Sequence, residues 1–299
     1  MSDTAEGLRR KISSAGDLQS VVRSMKALAA SSIGQYEKSV RSLADYYRTV
    51  ELGLSTCLRE HPSATQIVAP ANAQSVSAIV FGSDQGLVGQ FNDIIVDYAV
   101  KELGALPGAL PGGAKVWAVG ERVHARLADA GLAPIGLFAL PNSVDAIAPL
   151  VGQLQIESET QRQHSGTTSL WVFHNRPLPG ALYEPAGQRL LPLDRQWQRN
   201  LASIPWPSAD LPEVLGTGAT TLRALIREYL FISLFRACAE SLASENASRL
   251  AAMQRADKTI NDLLETLHAQ SNQLRQSSID EELFEVIAGF EALADRDRK

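Results

Sequence analysis

The residue types and spacings best suited to chemistry lie in GSDQGLVGQFN, residues 82–92. A short β-prone run, Val76–Phe81 (VSAIVF), leads into this segment, and the amphipathic DIIVDYAVKEL follows it. Strand, glycine-rich turn and helix in that order can cradle a phosphate, because the N–H groups at a helix N-terminus attract anions. Here the glycines are spaced G-x-x-x-G-x-x-G, which is neither the dinucleotide fingerprint nor a Walker A loop, and Gly-Lys occurs nowhere in the chain. A structural turn fits better than a phosphate site. Gly82, Asp84, Gly86, Gly89 and Asn92 are its expected members, letting strand and helix approach closely.

Other chemistry finds little support. The five histidines, at positions 61, 124, 164, 174 and 268, are scattered, and none sits at metal-ligand spacing with another His or a Cys. No G-x-S-x-G occurs, so Ser83 has no sequence support as a nucleophile. Glu281 and Glu282 are adjacent and diverge on a helix, which suits a solvated face better than a carboxylate pair. No catalytic residue, cofactor or metal is expected. With 28 Lys and Arg against 33 Asp and Glu, the net charge of −5 argues against a nucleic-acid partner. Cys57 and Cys238 cannot form a disulfide framework and point to a reduced, cytosolic setting. The polar N-terminus reads as neither signal nor transit peptide, and no run approaches the ~18 apolar residues of a membrane span.

The elements around these residues follow from proline. All 14 prolines and all four tryptophans lie between Pro62 and Pro212. Proline inside a helix costs about 3 kcal/mol, so proline-free ends around a proline-rich middle suggest helix, mixed domain, helix. The expected division is 1–60, 61–212 and 213–299. In the first arm Ile12, Ala15, Val22, Ala29, Ile33, Tyr36, Val40, Leu43, Tyr47, Val50 and Leu54 recur at steps of three, four or seven, a coiled-coil period. The second repeats it at Leu250, Met253, Asp257, Ile260, Leu264, Leu267, Ser271 and Leu274.

The middle alternates strand-like runs (Val76–Phe81, Lys115–Val119, Ile135–Leu140, Ser169–His174, then around Leu182–Leu193) with helical ones. That alternation favours βαβ units. The fold class is therefore α/β: a central three-layer domain with a mostly parallel sheet, plus a long antiparallel coiled coil of the two terminal helices. The second arm outruns the first by about 20 residues, or ~30 Å. Its excess carries an apolar stripe, Ile279, Leu283, Val286, Ile287, Phe290 and Leu293. Such a stripe needs a cover: another protein, a second copy, or the α/β domain itself.

Several segments together carry a resemblance. LRRKISSAGDLQSVVRSMKALAASS near the start, SDQGLVGQFN in the middle, and SLASENASRLAAMQRADKTINDL with RQSSIDEELFEVIAGFEAL near the end resemble the gamma subunit of the rotary F-type ATP synthase. The resemblance implies a non-catalytic central shaft inside a hexamer of catalytic and non-catalytic nucleotide-binding subunits. It also implies an epsilon-type subunit and a membrane rotor ring as partners. The place implied is the cytoplasmic face of a bacterial inner membrane, peripheral, with rotation coupling ion flow to ATP synthesis or hydrolysis. The alternative is a self-contained α/β nucleotide or phosphate enzyme with oligomerisation arms.

Residue by residue, Met25 matches the family's methionine near the N-terminal bearing region. Arg275 and Gln276 match a pair that contacts a catalytic subunit, and Ser278, Ile279, Glu282 and Leu283 continue that match, with Ile287 on the same stripe. Asp280 and Glu281 replace an uncharged pair, Gln85 stands where a basic residue is usual, and IGQYEKSV follows ALAASS in place of a basic stretch. These departures suggest a divergent branch of the family.

Overall fold

A computed structural model describes residues 5–60, 76–106, 113–165, 169–178, 181–193, 195–208, 210, 212–213 and 218–296. The elements in chain order are α1 (Ala5–Ser42), α2 (Ala44–Glu60), β1 (Val76–Phe81), α3 (Phe91–Gly104), β2 (Ala114–Val119) and α4 (Glu121–Asp129). After these come β3 (Gly136–Phe138), α5 (Ile147–Ser165), β4 (Ser169–Leu178), β5 (Ala181–Leu191), α6 (Arg195–Ala202) and α7 (Gly218–Arg296). Contacts divide the chain into a terminal unit, residues 1–28 with 250–299, and a central unit, 29–249. His61 and the connecting segments 107–112 and 214–217 lie outside the described residues.

In the central unit the sheet runs β3-β2-β1-β4-β5. β1 pairs in parallel with β2 and β4, β2 pairs in parallel with β3, and only β4–β5 is antiparallel. β1 is therefore central, and all six of its residues are buried. A continuous apolar run is what a strand covered on both faces requires. Val76, Ala78 and Val80 face a layer built from Ile95, Val96, Ala99 and Leu103 of α3 with Val123 and Leu127 of α4. Ile79 and Phe81 face the opposite layer, with Val151 and Leu154 of α5 and Leu234, Cys238 and Leu242 of α7. Helices on both faces make the three layers expected of the sequence.

Two features depart from that expectation. The first arm is not one helix, because α1 and α2 meet at Leu43. There the Leu43 N–H is shared between the carbonyls of Ser39 and Val40, at 3.2 and 3.3 Å, while the Tyr47 N–H still reaches the Leu43 carbonyl at 2.8 Å. The distortion spans one residue, and the Leu43 side chain packs on the core. The second departure is α6, too short and polar to show a period. Its Leu201 is buried, and Trp197 packs in the same cluster, beside Leu54, Cys57 and Leu58 of α2 and Leu222 and Tyr229 of α7. Both cysteines, Cys57 and Cys238, are buried, and neither is in a disulfide.

The terminal unit is a helix pair. Ala15 and Val22 of α1 pack with Met253 and Ile260 of α7 around one buried seam. The Gln19 amide donates to Asn261 Oδ1, and Lys26 Nζ donates to Asp257 Oδ2 at 2.9 Å. One partner number falls as the other rises, so the two segments run antiparallel. The hydrogen bond from Lys26, assisted by Arg23, holds the Asp257 carboxyl below its usual range. An aspartate at a seam position thus joins the polar border instead of the apolar core.

This register is testable by cross-linking. Gln19→Cys combined with Asn261→Cys should form a disulfide within one chain under mild oxidation. Gln19→Cys with Asn272→Cys, about three turns further on, should not. Efficient linkage of the second pair and none of the first would displace the seam.

Candidate functional site

The turn after β1 is held from several directions. The Ser83 N–H donates to Asn92 Oδ1 at 2.9 Å, Asn92 Nδ2 donates to Ser83 Oγ at 2.7 Å, and Ser83 Oγ donates to the Gln85 carbonyl at 2.9 Å. Asn92, on the first turn of α3, therefore clamps the start of the turn to its own helix. Asp84 reaches outward. Its Oδ1 accepts the Glu121 N–H and its Oδ2 the Leu140 N–H, each at 3.0 Å. The first of these belongs to the opening turn of α4, whose neighbour Gly120 has no side chain to cap with. A carboxylate in one connection thus caps the helix of the next, where both the orphan donor and the helix dipole favour negative charge.

The glycines differ in what they do. A Cβ on Gly82 would lie 2.2 Å from Val123 Cβ and 2.7 Å from Asn92 Oδ1, so the close approach needs glycine. Gly89 has φ +59, a left-handed conformation that favours glycine. Gly86 meets nothing nearer than Arg122 Nη2 at 4.0 Å. Helix α7 closes over the turn, with Ser248 Oγ donating to the Val88 carbonyl at 2.5 Å. Asn92 spends its amide on the turn and Asp84 its carboxylate on two backbone groups. The arrangement presents a carboxylate and a clasp where an anion cradle needs free donors.

A second polar group lies in the same unit. His174 Nε2 sits 2.9 Å from Glu240 Oε2, and Arg236 Nε donates to Glu240 Oε1 at 2.7 Å. An imidazole on a carboxylate supplies two of the three members of a hydrolytic triad, but no hydroxyl or thiol completes it among the described residues, and both side chains are nearly covered. The pair ties β4 to α7. Burial alone would raise the Glu240 carboxyl, yet the contacts with His174 and Arg236 outweigh it and hold the group below its usual range. One helical turn on, burial pushes the Glu245 carboxyl up, with Arg249 opposing. No sequence signal marks the His174–Glu240 pair, because its members are 66 residues apart.

In the terminal unit Met25 is half-buried and packs against the seam of Ala15, Val22, Met253 and Ile260. Arg275, Gln276, Ser278 and Glu282 are exposed. So is the stripe: Ile279 and Leu283 are each 56% exposed, Phe284 69% and Ile287 45%. Phe284 is the member that a strict three-four spacing misses. Phe290 and Leu293 continue the helix, and their side chains lie outside the description. Among the described residues nothing covers this face.

A model of the ATP synthase family matches residues 4–293. The chain belongs to that family. It is 27% identical to the ATP synthase gamma chain of Syntrophus aciditrophicus over 96% of this chain and 97% of that one, and 28% identical to that of Nocardioides sp. over 96% and 95%. Its fold is that of the rotor of the Euglena gracilis mitochondrial ATP synthase in rotational state 1, with a TM-score of 0.62 at 13% identity over 92% of this chain and 98% of that one. This gamma-type chain is a non-catalytic rotor subunit, the central stalk of a rotary ATP synthase. Among the described residues, the end of α7 over 272–288 keeps its side chains exposed. The β1 turn and the His174–Glu240 pair are spent internally. No described helix is long and apolar enough to cross a membrane.

Two measurements check this division. Gly82→Ala should destabilise the chain by about 2–3 kcal/mol through overpacking against Val123, while Gly86→Ala should stay within about 0.5 kcal/mol. Equal melting temperatures for the two variants would contradict the close-approach geometry. Glu240 has its folded pKa depressed, so its contribution is present above the unfolded value, about 4.3, and is lost as pH falls through the folded one. Glu240→Gln should therefore melt lower than the parent at neutral pH, and the gap should narrow below about pH 4.

Proposed function

We propose that this central-stalk subunit passes torque to a ring of nucleotide-binding subunits through the exposed end of α7. The observation that carries the reading is the stripe Ile279, Leu283, Phe284, Val286 and Ile287, exposed among the described residues and continuous with Arg275 and Gln276. An apolar helix face of that length is stable in water only when another surface covers it. A sleeve formed by the hexamer of catalytic and non-catalytic subunits fits a helix with apolar and polar contacts on successive turns. Arg275 brings five donors in a rigid fork suited to a partner carboxylate, and Gln276 brings both a donor and an acceptor. Ser278 and Glu282 extend the polar side of the contact, while Met25 supports the bearing from within the seam. In this reading an epsilon-type subunit and a membrane rotor ring engage the central unit. The complex sits on the cytoplasmic face of a bacterial inner membrane and couples ion flow to ATP synthesis or hydrolysis.

The two kinds of contact should separate on mutation. Arg275→Ala with Gln276→Ala should leave folding and assembly intact but lower the coupled ATPase rate of the reconstituted complex at least tenfold. Tenfold is about 1.4 kcal/mol, a floor beneath the ~2–5 kcal/mol lost on truncating one partner of a desolvated charged contact. Leu283→Asp and Ile287→Asp should instead block assembly, since each buries an unpaired charge. Full coupled activity of the Arg275/Gln276 double variant would remove the pair from torque transfer, and normal assembly of both aspartate variants would remove the stripe from the sleeve.

A further inference from the structure

A cleft of about 540 Å³ opens in the central unit between α5, the N-terminal ends of β1 and β4, the end of β5 and the beginning of α7. Its volume falls within the range of small-molecule sites. The apolar part of its lining comes from Leu170 and Leu191 of the sheet and from Leu222, Ile226, Leu230 and Leu234 of α7. Among the described residues no aromatic ring lines it, so they offer no surface on which a base or aryl group could stack.

Its charge is unbalanced. Arg162 of α5 and Arg223 and Arg227 of α7 line the cleft, against one carboxylate, Glu159. Arg162 is already committed, its Nε and Nη2 donating to Glu159 at 3.1 and 2.8 Å. Arg223 and Arg227 are four residues apart on one helix face, where like charges repel. Neither forms an ion pair among the described residues. The wall between them and α5 is fixed, because Gln155 Nε2 donates to the Arg227 carbonyl at 2.9 Å.

The floor holds a further unmet group. On β1 the residues facing α5 and α7 are Ser77, Ile79 and Phe81, so a hydroxyl stands where the pattern wants an apolar side chain. Ser77 is 3% exposed, lines the cleft, and its Oγ has no hydrogen-bond partner. Buried hydroxyls are ordinarily satisfied, and leaving one unpaired is costly. Two exposed guanidinium groups at the mouth, an aliphatic wall and an unpaired hydroxyl below describe the complement of one kind of molecule. We propose that this cleft binds a fatty carboxylate. The carboxylate pairs with Arg223 and Arg227, the chain lies along the leucine wall, and a polar group at its far end reaches Ser77.

Calorimetric titration of the full chain with octanoate and decanoate, below their micelle concentrations, tests this. Binding should be saturable and one-to-one, and each added methylene should tighten it about fourfold. Decanol, which lacks the charge, should bind at least tenfold more weakly than decanoate. Arg223→Ala with Arg227→Ala, both exposed and safe for folding, should weaken decanoate at least tenfold. Leu230→Trp, which fills the cleft, should abolish binding; if that variant does not fold, the arginine variant decides. Ser77→Ala should weaken ω-hydroxydecanoate several-fold and leave decanoate within about twofold. No saturable binding, an affinity independent of chain length, or an arginine double variant that binds like the parent would overturn the proposal. So would arginine-dependent capture on phosphatidylglycerol vesicles without any decanoate binding, which would make this a membrane-facing patch.

Discussion

One carboxylate organises the top of the sheet. By accepting an N–H from the start of α4 and another from the connection after β3, Asp84 fixes three successive connections of a parallel sheet relative to one another. Parallel strands have no tight hairpins to set their ends, so the loops at their C-terminal edge must be aligned by some other means. Here that means is Asp84, helped by the Arg122 N–H on the Ser83 carbonyl at 2.9 Å. The bare glycine at 82 is a condition of the same arrangement, since any Cβ there would push α4 away from the carboxylate. The turn that looks most like a nucleotide site is thus consumed in holding the domain together.

The terminal unit follows a different logic. Its seam is narrow and built from small and medium side chains, Ala15, Val22, Met253 and Ile260. Polar borders, Gln19 with Asn261 and Lys26 with Asp257, specify the register that the apolar residues alone would leave loose. Beyond Leu267, the last buried seam residue among those described, α7 continues with exposed side chains over 272–288. A helix made from one chain's end and stabilised by a short partner leaves its remaining length for other molecules.

Much of this was legible in the sequence. The proline partition separated the helical ends from the sheet, and the three-four spacing named buried seam residues, among them Ala15, Val22, Tyr36, Leu54, Met253, Ile260 and Leu267. The strand-like runs located β1 and β2 within a residue because buried parallel strands are continuous apolar runs. What escaped depends on partners remote in sequence. The capping by Asp84, 56 residues from Leu140, leaves no local trace. Nor does the His174–Glu240 tie. Helix α6 is too short for a period to show, and the break at Leu43 has no Gly or Pro to announce it. Ser77 did interrupt the apolar run of β1, but without the cleft beside it a lone serine carries no message.

The register of the terminal pair also dictates an order of events during synthesis. Gln19 meets a residue 242 positions later and Lys26 one 231 positions later. Contacts of such separation form late and slowly, because nearly the whole chain must be closed into one loop first. On a ribosome α1 emerges long before its partner in α7, so Val22 and its neighbours wait in water while the sheet forms. The sheet, whose parallel pairings join strands from 76 to 178, is complete long before then. A nascent chain stalled after β5 would therefore carry paired strands with one face still lacking Leu234, Cys238 and Leu242 of α7, and an unmated first helix, a natural substrate for chaperones.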